Sequence, residues 1–514
     1  MEDAAPPPLP TVLDSLDRYG ARSLFEFEGE THTYRDARDA IFRIAEALRA
    51  AGLAPGQGFA LLADNRPELF YVRTAATLVG IRFVALHPLG SPRDHAYVVG
   101  DAGLDAVVFD PSFEPAATSL AQEAQLSVLA SLGPSDHGFD LLAESNMSPG
   151  RPAVADAAPV RIAYTGGTTG KPKGIVMIPS ALSFAWATMA EHWQWPLDLR
   201  LLLSTPLSHA AGSLILPTIA KGGTIILLRK FSVSAWLAAV ETHGATAALV
   251  VPTQLYKILD APNLAATDLA SLETVIYGAA PCSPTRLADA ISTLGPIFFQ
   301  FYGQTEAPMT MCMMRKEEHD PTIAGRLGSC GRPLPGVDLR LLDDEGQEVP
   351  RGQAGEICVR GPLVALREYK GRPEETAATL RNGWLHTGDV ARIDEDGFVH
   401  IVDRKKDMII SGGFNLYPKE IEDCLGAHPG VSDVAVIGVP HETWGESVHA
   451  VVVRNVEHEV TAGDLIDHVR ASLGSMYAPK SVSWASEIPL SPLGKHDKKA
   501  LRAPFWVDRT RGVS

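Results

Sequence analysis

A chain of 514 residues exceeds what one hydrophobic core usually holds, so two or more domains are expected. Hydrophobic residues at 46%, charged residues at 21% and a net charge of −16 describe a globular protein and argue against nucleic acid or an anionic membrane as its main partner. Five scattered cysteines without a C-x-x-C pair exclude a zinc ribbon and a disulfide framework and suit reduced thiols in the cytoplasm. No apolar run reaches the ~20 residues of a bilayer span, and a Met-Glu-Asp start running into prolines does not read as a signal peptide.

Residues 1–10 read as a loose arm. Thr33 and Asp36 form a capping box that opens a helix with Ile41, Ile44, Ala45 and Leu48 on one face, stopping near Gly52. Strands at Phe59–Ala63, Phe83–Leu86 and Ala106–Phe109 alternate with helices at Glu68–Val79 and Pro92–Asp101. This is the βαβ rhythm of a largely parallel sheet. A linker rich in Pro, Ala, Ser and Asp over 145–159 leads to a strand at Val160–Tyr164. There follows the loop Thr165-Gly166-Gly167-Thr168-Thr169-Gly170-Lys171-Pro172-Lys173-Gly174, then a strand at Ile175–Ile178. Its glycines let backbone amides turn toward an anion without Cβ clashes. Thr165, Thr168 and Thr169 add hydroxyls and Lys173 a positive charge, a combination suited to a triphosphate. The G-x-x-x-x-G-K-[ST] pattern is not met. Gly166 and Gly170 are one residue too close, Pro172 stands where Ser or Thr would bind magnesium, and the loop joins two strands instead of opening a helix.

Strands resume at Leu201–Ser204, Thr224–Leu228, Ala247–Val251, Thr274–Tyr277 and Ile297–Phe301. From 325 to 402, Gly-Pro turns separate short β-rich pieces such as Leu339–Leu342 and Glu356–Val359, the texture of a small barrel. Residues 403–407 form a charged junction. Beyond it, about 100 residues suffice for a small domain, with strands near Val434–Val439 and Ala450–Val453 and helices near 418–427 and 462–473.

Three further stretches carry chemistry. Tyr302-Gly303-Gln304-Thr305-Glu306 follows a strand's carboxyl end, where ligands of α/β sheets sit. Tyr302 offers a face to a base, Thr305 a hydroxyl to phosphate, and Glu306 a hard oxygen to Mg²⁺. In Trp384-Leu385-His386-Thr387-Gly388-Asp389 the carboxylate of Asp389 suits the two hydroxyls of a ribose, and Arg404 can donate to ribose or phosphate oxygens. Gly494-Lys495 lies in a basic segment near the C-terminus. Each stretch alone is also explained as a solvated loop.

In this order and spacing the motifs resemble the adenylate-forming superfamily of acyl-CoA synthetases, peptide-synthetase adenylation domains and firefly-type luciferases, from about residue 20 to 505. Gly278-Ala279-Ala280-Pro281, Ser411-Gly412-Gly413, Pro418-Lys419-Glu420-Ile421-Glu422 and Trp444-Gly445-Glu446 match as well. The resemblance implies an α/β fold. A large N-terminal domain over 1–403 would hold α/β subdomains and a small β-barrel-like subdomain. A hinge over 404–407, containing Lys406, would precede a small, mobile α+β C-terminal domain over 408–514.

It further implies that residues 165–174 hold the β- and γ-phosphates of ATP, and that Tyr302, with Gly303 beside it, and Gly278 to Pro281 flank the adenine. Thr305 would contact phosphate, Glu306 would hold Mg²⁺, and Asp389 would grip the ribose with help from Arg404. Lys495 would reach the substrate carboxylate and α-phosphate while an acyl-adenylate forms and pyrophosphate leaves. A domain swing would then withdraw Lys495 and bring Ser411, Gly412 and Gly413 to the site, where the CoA thiol takes the acyl group and AMP departs.

The segment Pro206-Leu207-Ser208-His209-Ala210-Ala211-Gly212 resembles the one whose histidine gates the acyl channel, which marks His209. Amino-acid-activating members carry an Asp here for the substrate ammonium; none stands between Leu203 and Pro217, so the expected acid lacks an α-amine. Small residues at 210–213 and the adaptable Met309, Met311 and Met313 suit an apolar acyl or aryl group. Many relatives carry a His five residues after the glycine equivalent to Gly174; this chain has Pro179, which leaves the chain length of the acid open.

The expected function is ATP-dependent acyl-CoA synthesis. The alternative is a stand-alone adenylating enzyme that loads the phosphopantetheine of a carrier protein. No sequence mark supports a luciferase-type oxygenase. Nucleotide binding without turnover is disfavoured by the joint presence of Glu306, Asp389, Arg404 and Lys495.

Overall fold

The computed structural model describes residues 9–143, 150–153, 155, 159–165, 172–405, 407–411, 414–456, 458–490 and 496–507. The chain divides into two compact units. One comprises Met1–Ala279, Ile297–Met311 and Arg360–Arg381; the other comprises Ala280–Pro296, Cys312–Val359 and Asn382–Ser514.

The first unit is built on two α/β sheets. Short, almost continuously apolar strands need helices on both faces, and parallel pairing supplies them. Phe298–Gln304, Thr274–Gly278, Ala247–Val250, Arg200–Leu203, Thr224–Leu227 and Ser23–Phe27 lie side by side in that order, all parallel, and Glu30–Thr33 closes the edge antiparallel. The register sets Leu203 beside Leu227 and Leu249, and Ile276 beside Leu249 and Phe299. Arg82–Ala85, Gly58–Leu62, Ala106–Phe109, Val128–Ser131 and Phe139–Asp140 form a second parallel sheet. Its core joins Leu62, Val84, Val107 and Phe109 to Val98, Val99 and Leu120 of the covering helices. The capping box of Thr33 and Asp36 starts the helix Tyr34–Ala50, a cap that contributes about 1 kcal/mol.

A third, antiparallel sheet holds Arg161–Thr165, Lys173–Met177 and Leu366–Tyr369. Thr165 pairs with Lys173, so the glycine-rich segment joins two paired strands, as its flanks predict. Pro179 then occupies the first turn of the helix Pro179–His192, where its missing N–H costs nothing.

The second unit carries two sheets of its own. Trp384–Ile393 pairs antiparallel with Gly355–Arg360 on one side and Val399–Arg404 on the other. Farther along, Val431–His441 and Gly445–Arg454 form a long hairpin, with Ser481–Ala485 parallel beside it and Ile409–Ser411 on the far part. Helices Pro418–Gly426 and Ala462–Leu473 cover that sheet, burying Ile421, Leu425, Leu465 and Val469 against Val436, Val448 and Val452. These strands and helices make an α+β layer.

Candidate active site

The carboxyl ends of two parallel strands in the first unit carry Gly278, Tyr302 and Gly303 of the predicted nucleotide residues. The strand predicted to stop at Phe301 runs on through Gln304, because Ala307–Met314 folds back beside it. Tyr302 and Gly303 are therefore strand residues, and Thr305 and Glu306 form the turn. The hairpin is tight: a Cβ on Gly303 would stand 2.3 Å from the Met309 nitrogen. On the neighbouring strand a Cβ on Gly278 would meet the Phe301 carbonyl oxygen at 2.4 Å, so glycine lets the strands close. Ala279 follows in the left-handed region at φ 64°. Strain of that kind in a non-glycine residue gathers at binding sites, and it falls here on a residue expected beside adenine.

Glu306 is buried in the turn, its carbonyl fixed by the amides of Ala365 and Leu366. Its Oε1 accepts a hydrogen bond from the Tyr369 hydroxyl at 2.7 Å; Oε2 makes none among the described residues. Burial, reinforced by the Glu306 charge, pushes the Tyr369 phenol well above its ordinary range, so the proton stays on the tyrosine. The half-satisfied carboxylate fits a hard divalent cation such as Mg²⁺. Lys173 lies over the Tyr369 ring, its Nζ 5.5 Å from the centroid, and pairs with Glu375. Arg372 also binds Glu375, at 2.9 Å, and these cations hold the Glu375 carboxyl below its ordinary range against the effect of burial. The structure thus gathers Lys173 and Glu306 around one tyrosine. Neither Tyr369 nor Glu375 was marked by the sequence: both lie inside the barrel-like stretch of 325–402, and only strand pairing between Tyr369 and Ile175 brings them here.

His209 caps the short helix Ala210–Ser213. Its Nδ1 lies 2.8 Å from the Ser208 hydroxyl, and its ring meets His87 edge-on at 5.0 Å. Burial, with the charge of His95, holds His87 below the ordinary histidine range, which keeps it neutral. Just past the strand Arg200–Leu203, Ser204 Oγ and Thr205 Oγ1 are buried without a hydrogen-bond partner among the described residues. Buried orphan hydroxyls beyond a strand's carboxyl end are what a polar ligand would satisfy.

In the second unit, Asp389 is buried and its Oδ1 lies 3.2 Å from Arg404 Nε, its register partner across the sheet. A scaffold that sequence reading passed over fixes this loop. Glu356 Oε1 accepts from the Gly388 amide at 2.9 Å, and its Oε2 lies 3.1 Å from His386 Nδ1 and 3.6 Å from Lys405 Nζ. Cys358 Sγ stands 3.2 Å from His386 Nδ1. Glu356, Cys358 and His386 have metal-ligand proximity, but both Glu356 oxygens are already engaged, so the trio serves the Asp389 loop. Ala280, Pro281 and Ser411 also belong to this unit. Gly166, Gly167, Thr168, Thr169, Gly170, Lys406, Gly412, Gly413 and Lys495 lie outside the described residues.

The chain matches the profile of AMP-binding enzymes over residues 13–369 and that of the AMP-binding enzyme C-terminal domain over 420–495. It is 43% identical to the medium/long-chain-fatty-acid–CoA ligase FadD8 of Mycobacterium tuberculosis, across 98% of this chain and 90% of that one. It is 38% identical to a feruloyl-CoA synthase of an Amycolatopsis species, across 93% and 94%. Among solved structures, the amide bond synthetase McbA of Marinactinospora thermotolerans is similar at a TM-score of 0.89 and 34% identity, covering 96% of this chain and 99% of that one. Two family profiles that together span most of the chain and relatives alike from end to end lead to one assignment: the chain belongs to the AMP-binding enzyme family, within the adenylate-forming superfamily.

Proposed function

We propose that the chain is an AMP-forming acyl-CoA synthetase, an acid–thiol ligase. It joins a carboxylic acid to ATP as acyl-AMP, releasing pyrophosphate, and then passes the acyl group to the thiol of CoA, releasing AMP. The observation that carries this reading is the Lys173–Tyr369–Glu306 group, a cation and a half-satisfied buried carboxylate at the start of the strand Lys173–Met177. In it Lys173 would meet the β- and γ-phosphates and Glu306 would hold Mg²⁺. When bound, the ion neutralises charge on the departing pyrophosphate. Thr305 would donate to phosphate, Tyr302, Gly303 and the Gly278 to Pro281 segment would frame the adenine, and Asp389 with Arg404 would hold the ribose.

CoA as acceptor is supported by likeness to ligases named for CoA thioesters, and an acid without an α-amine by the absence of Asp between Leu203 and Pro217. His209 would gate the acyl channel. The likeness to an amide bond synthetase makes an amine a second acceptor to consider, and a carrier-protein phosphopantetheine is the third. Pyrophosphate release over a panel of acids, followed by product analysis with CoA, holo carrier domain or amine, tests the reading. Thioester with CoA is expected; adenylate that moves only to carrier or amine would replace it, and no pyrophosphate with any acid would end it.

Two variants probe the nucleotide residues. Asp389→Asn should raise the KM for ATP about 10–100-fold, the scale of a charge-assisted hydrogen bond, with the melting temperature little changed. An unchanged KM would remove Asp389 from the ribose. Glu375→Gln should lower the KM for ATP about three- to tenfold, because ATP no longer competes with a carboxylate for Lys173. A rise in KM would mean that Glu375 assists binding.

A further inference from the structure

The first unit holds a cavity of about 130 Å³ between the helices Glu68–Leu78 and Pro179–His192 and the segment Gly212–Leu216. Its walls are mostly apolar, with Phe70, Phe83, Leu182, Trp186, Ile215 and Leu216 prominent. Three arginines line it, and they differ in how they are satisfied. Arg82 gives both terminal nitrogens to the carbonyls of Ala102 and Gly103. Arg73 spends one nitrogen on the Leu207 carbonyl at 3.0 Å, with Phe83 5.1 Å from its guanidinium. Arg161 lies over Trp186 at 5.7 Å and makes no side-chain hydrogen bond among the described residues. No described carboxylate lies within ion-pair reach of Arg73 or Arg161. Burial pushes both guanidinium groups down, Arg73 to about 9 with the charge of Arg161 adding to the effect, and Arg161 to about 10, so both remain cationic at neutral pH. The chain has a net charge of −16, yet among the described residues no carboxylate stands beside these two half-buried cations. Such groups ordinarily carry a partner.

We propose that this cavity binds an organic carboxylate: an apolar body of roughly six or seven non-hydrogen atoms fills it and the anionic group meets Arg73 and Arg161. The size follows from the volume of about 130 Å³, since a cavity of about 150 Å³ holds a benzene ring. The bound group is not the carboxylate that attacks ATP, because a carboxylate held by two arginines is a poor nucleophile. It is either the remote carboxylate of the acid being activated or a separate acid. In both cases Arg73 couples it to the Leu207 carbonyl, two residues from His209. Gly212 permits that contact; a Cβ there would stand 3.0 Å from Arg73 Nη1.

The test uses the full chain without nucleotide, so it does not depend on the proposed reaction. Octanoate and octanamide are titrated by calorimetry. Octanoate should bind about 10–100-fold more tightly, the range for a charge-assisted pair. Arg161→Gln and Arg73→Gln should bring the two within about threefold, whereas Arg161→Lys should keep most of the preference. If the glutamine variants do not fold, Leu216→Trp, which fills the cavity, should abolish the preference instead. Equal affinities in the unaltered protein, or a preference untouched by all of these variants, would overturn the proposal. The source is read from turnover. Preference for a diacid over its monomethyl ester, lost in Arg161→Gln, assigns the remote end of the substrate. Octanoate binding that persists under saturating substrate assigns a separate acid.

Discussion

Lys495→Ala is expected to slow ATP–pyrophosphate exchange by about 10²–10⁴-fold, the scale on which a positioned charge stabilises a transition state. Thioester formation from supplied acyl-adenylate should fall far less. The asymmetry follows from the chemistry of the two half-reactions. In the first, a carboxylate approaches a polyphosphate, both partners are anionic, and negative charge grows on the transferring phosphorus oxygens. A lysine that reached both the incoming oxygen and the α-phosphate would offset that repulsion. In the second, a thiol attacks a neutral acyl carbonyl, and AMP leaves without a second anion being forced against it. On this proposal Lys495 would serve the first step, and the Ser411-Gly412-Gly413 segment would serve the second, glycine lacking the Cβ that would crowd a pantetheine arm. Comparable losses in both steps would contradict this division and, with it, the expected swing of the region beyond 404–407.

The fold was largely legible because its signals are local. The run of Ala106–Phe109 needs no partner to read as a buried strand, and it is observed at those residues. Thr33 and Asp36 announce a helix start within four residues. The helices Pro92–Ala102 and Ala462–Leu473 likewise lie within a residue of the ranges read from the sequence. Candidate site residues could be named from sequence where they sit in compact motifs, as Thr305 and Glu306 do in one turn. What escaped was chemistry assembled by tertiary pairing. Tyr369 stands 63 residues from Glu306 and meets it only because Leu366–Tyr369 pairs with Lys173–Met177. Glu356 supports the Gly388 amide across 32 residues through a similar pairing. Arg73 and Arg161 carry no pattern at all; only their shared cavity makes them a pair. The strand end at Phe301 was placed too early for a related reason. Tyr302-Gly303-Gln304 looks like a loop until the returning strand supplies its hydrogen-bond partners.

Glu306→Gln is expected to lower adenylation about 10²–10³-fold and to raise the half-saturating Mg²⁺ concentration at least about tenfold. The amide keeps the side chain's shape and an acceptor for the Tyr369 hydroxyl, so the turn anchored by Ala365 and Leu366 should persist. What it removes is the charge. A neutral amide oxygen is a much weaker ligand for a hard cation than a carboxylate, and here that charge is buried, where water screens it least. Part of the lost rate should return as Mg²⁺ is raised. Tyr369→Phe supplies the contrast: it deletes the donor at 2.7 Å but leaves the carboxylate charged, so its activity should fall only about three- to tenfold. A structural role for Glu306 predicts the opposite pattern. Both variants would then melt at lower temperature, and neither would change the Mg²⁺ dependence of pyrophosphate exchange. Measuring that dependence beside the melting temperature separates a carboxylate that holds the metal from one that only holds the turn.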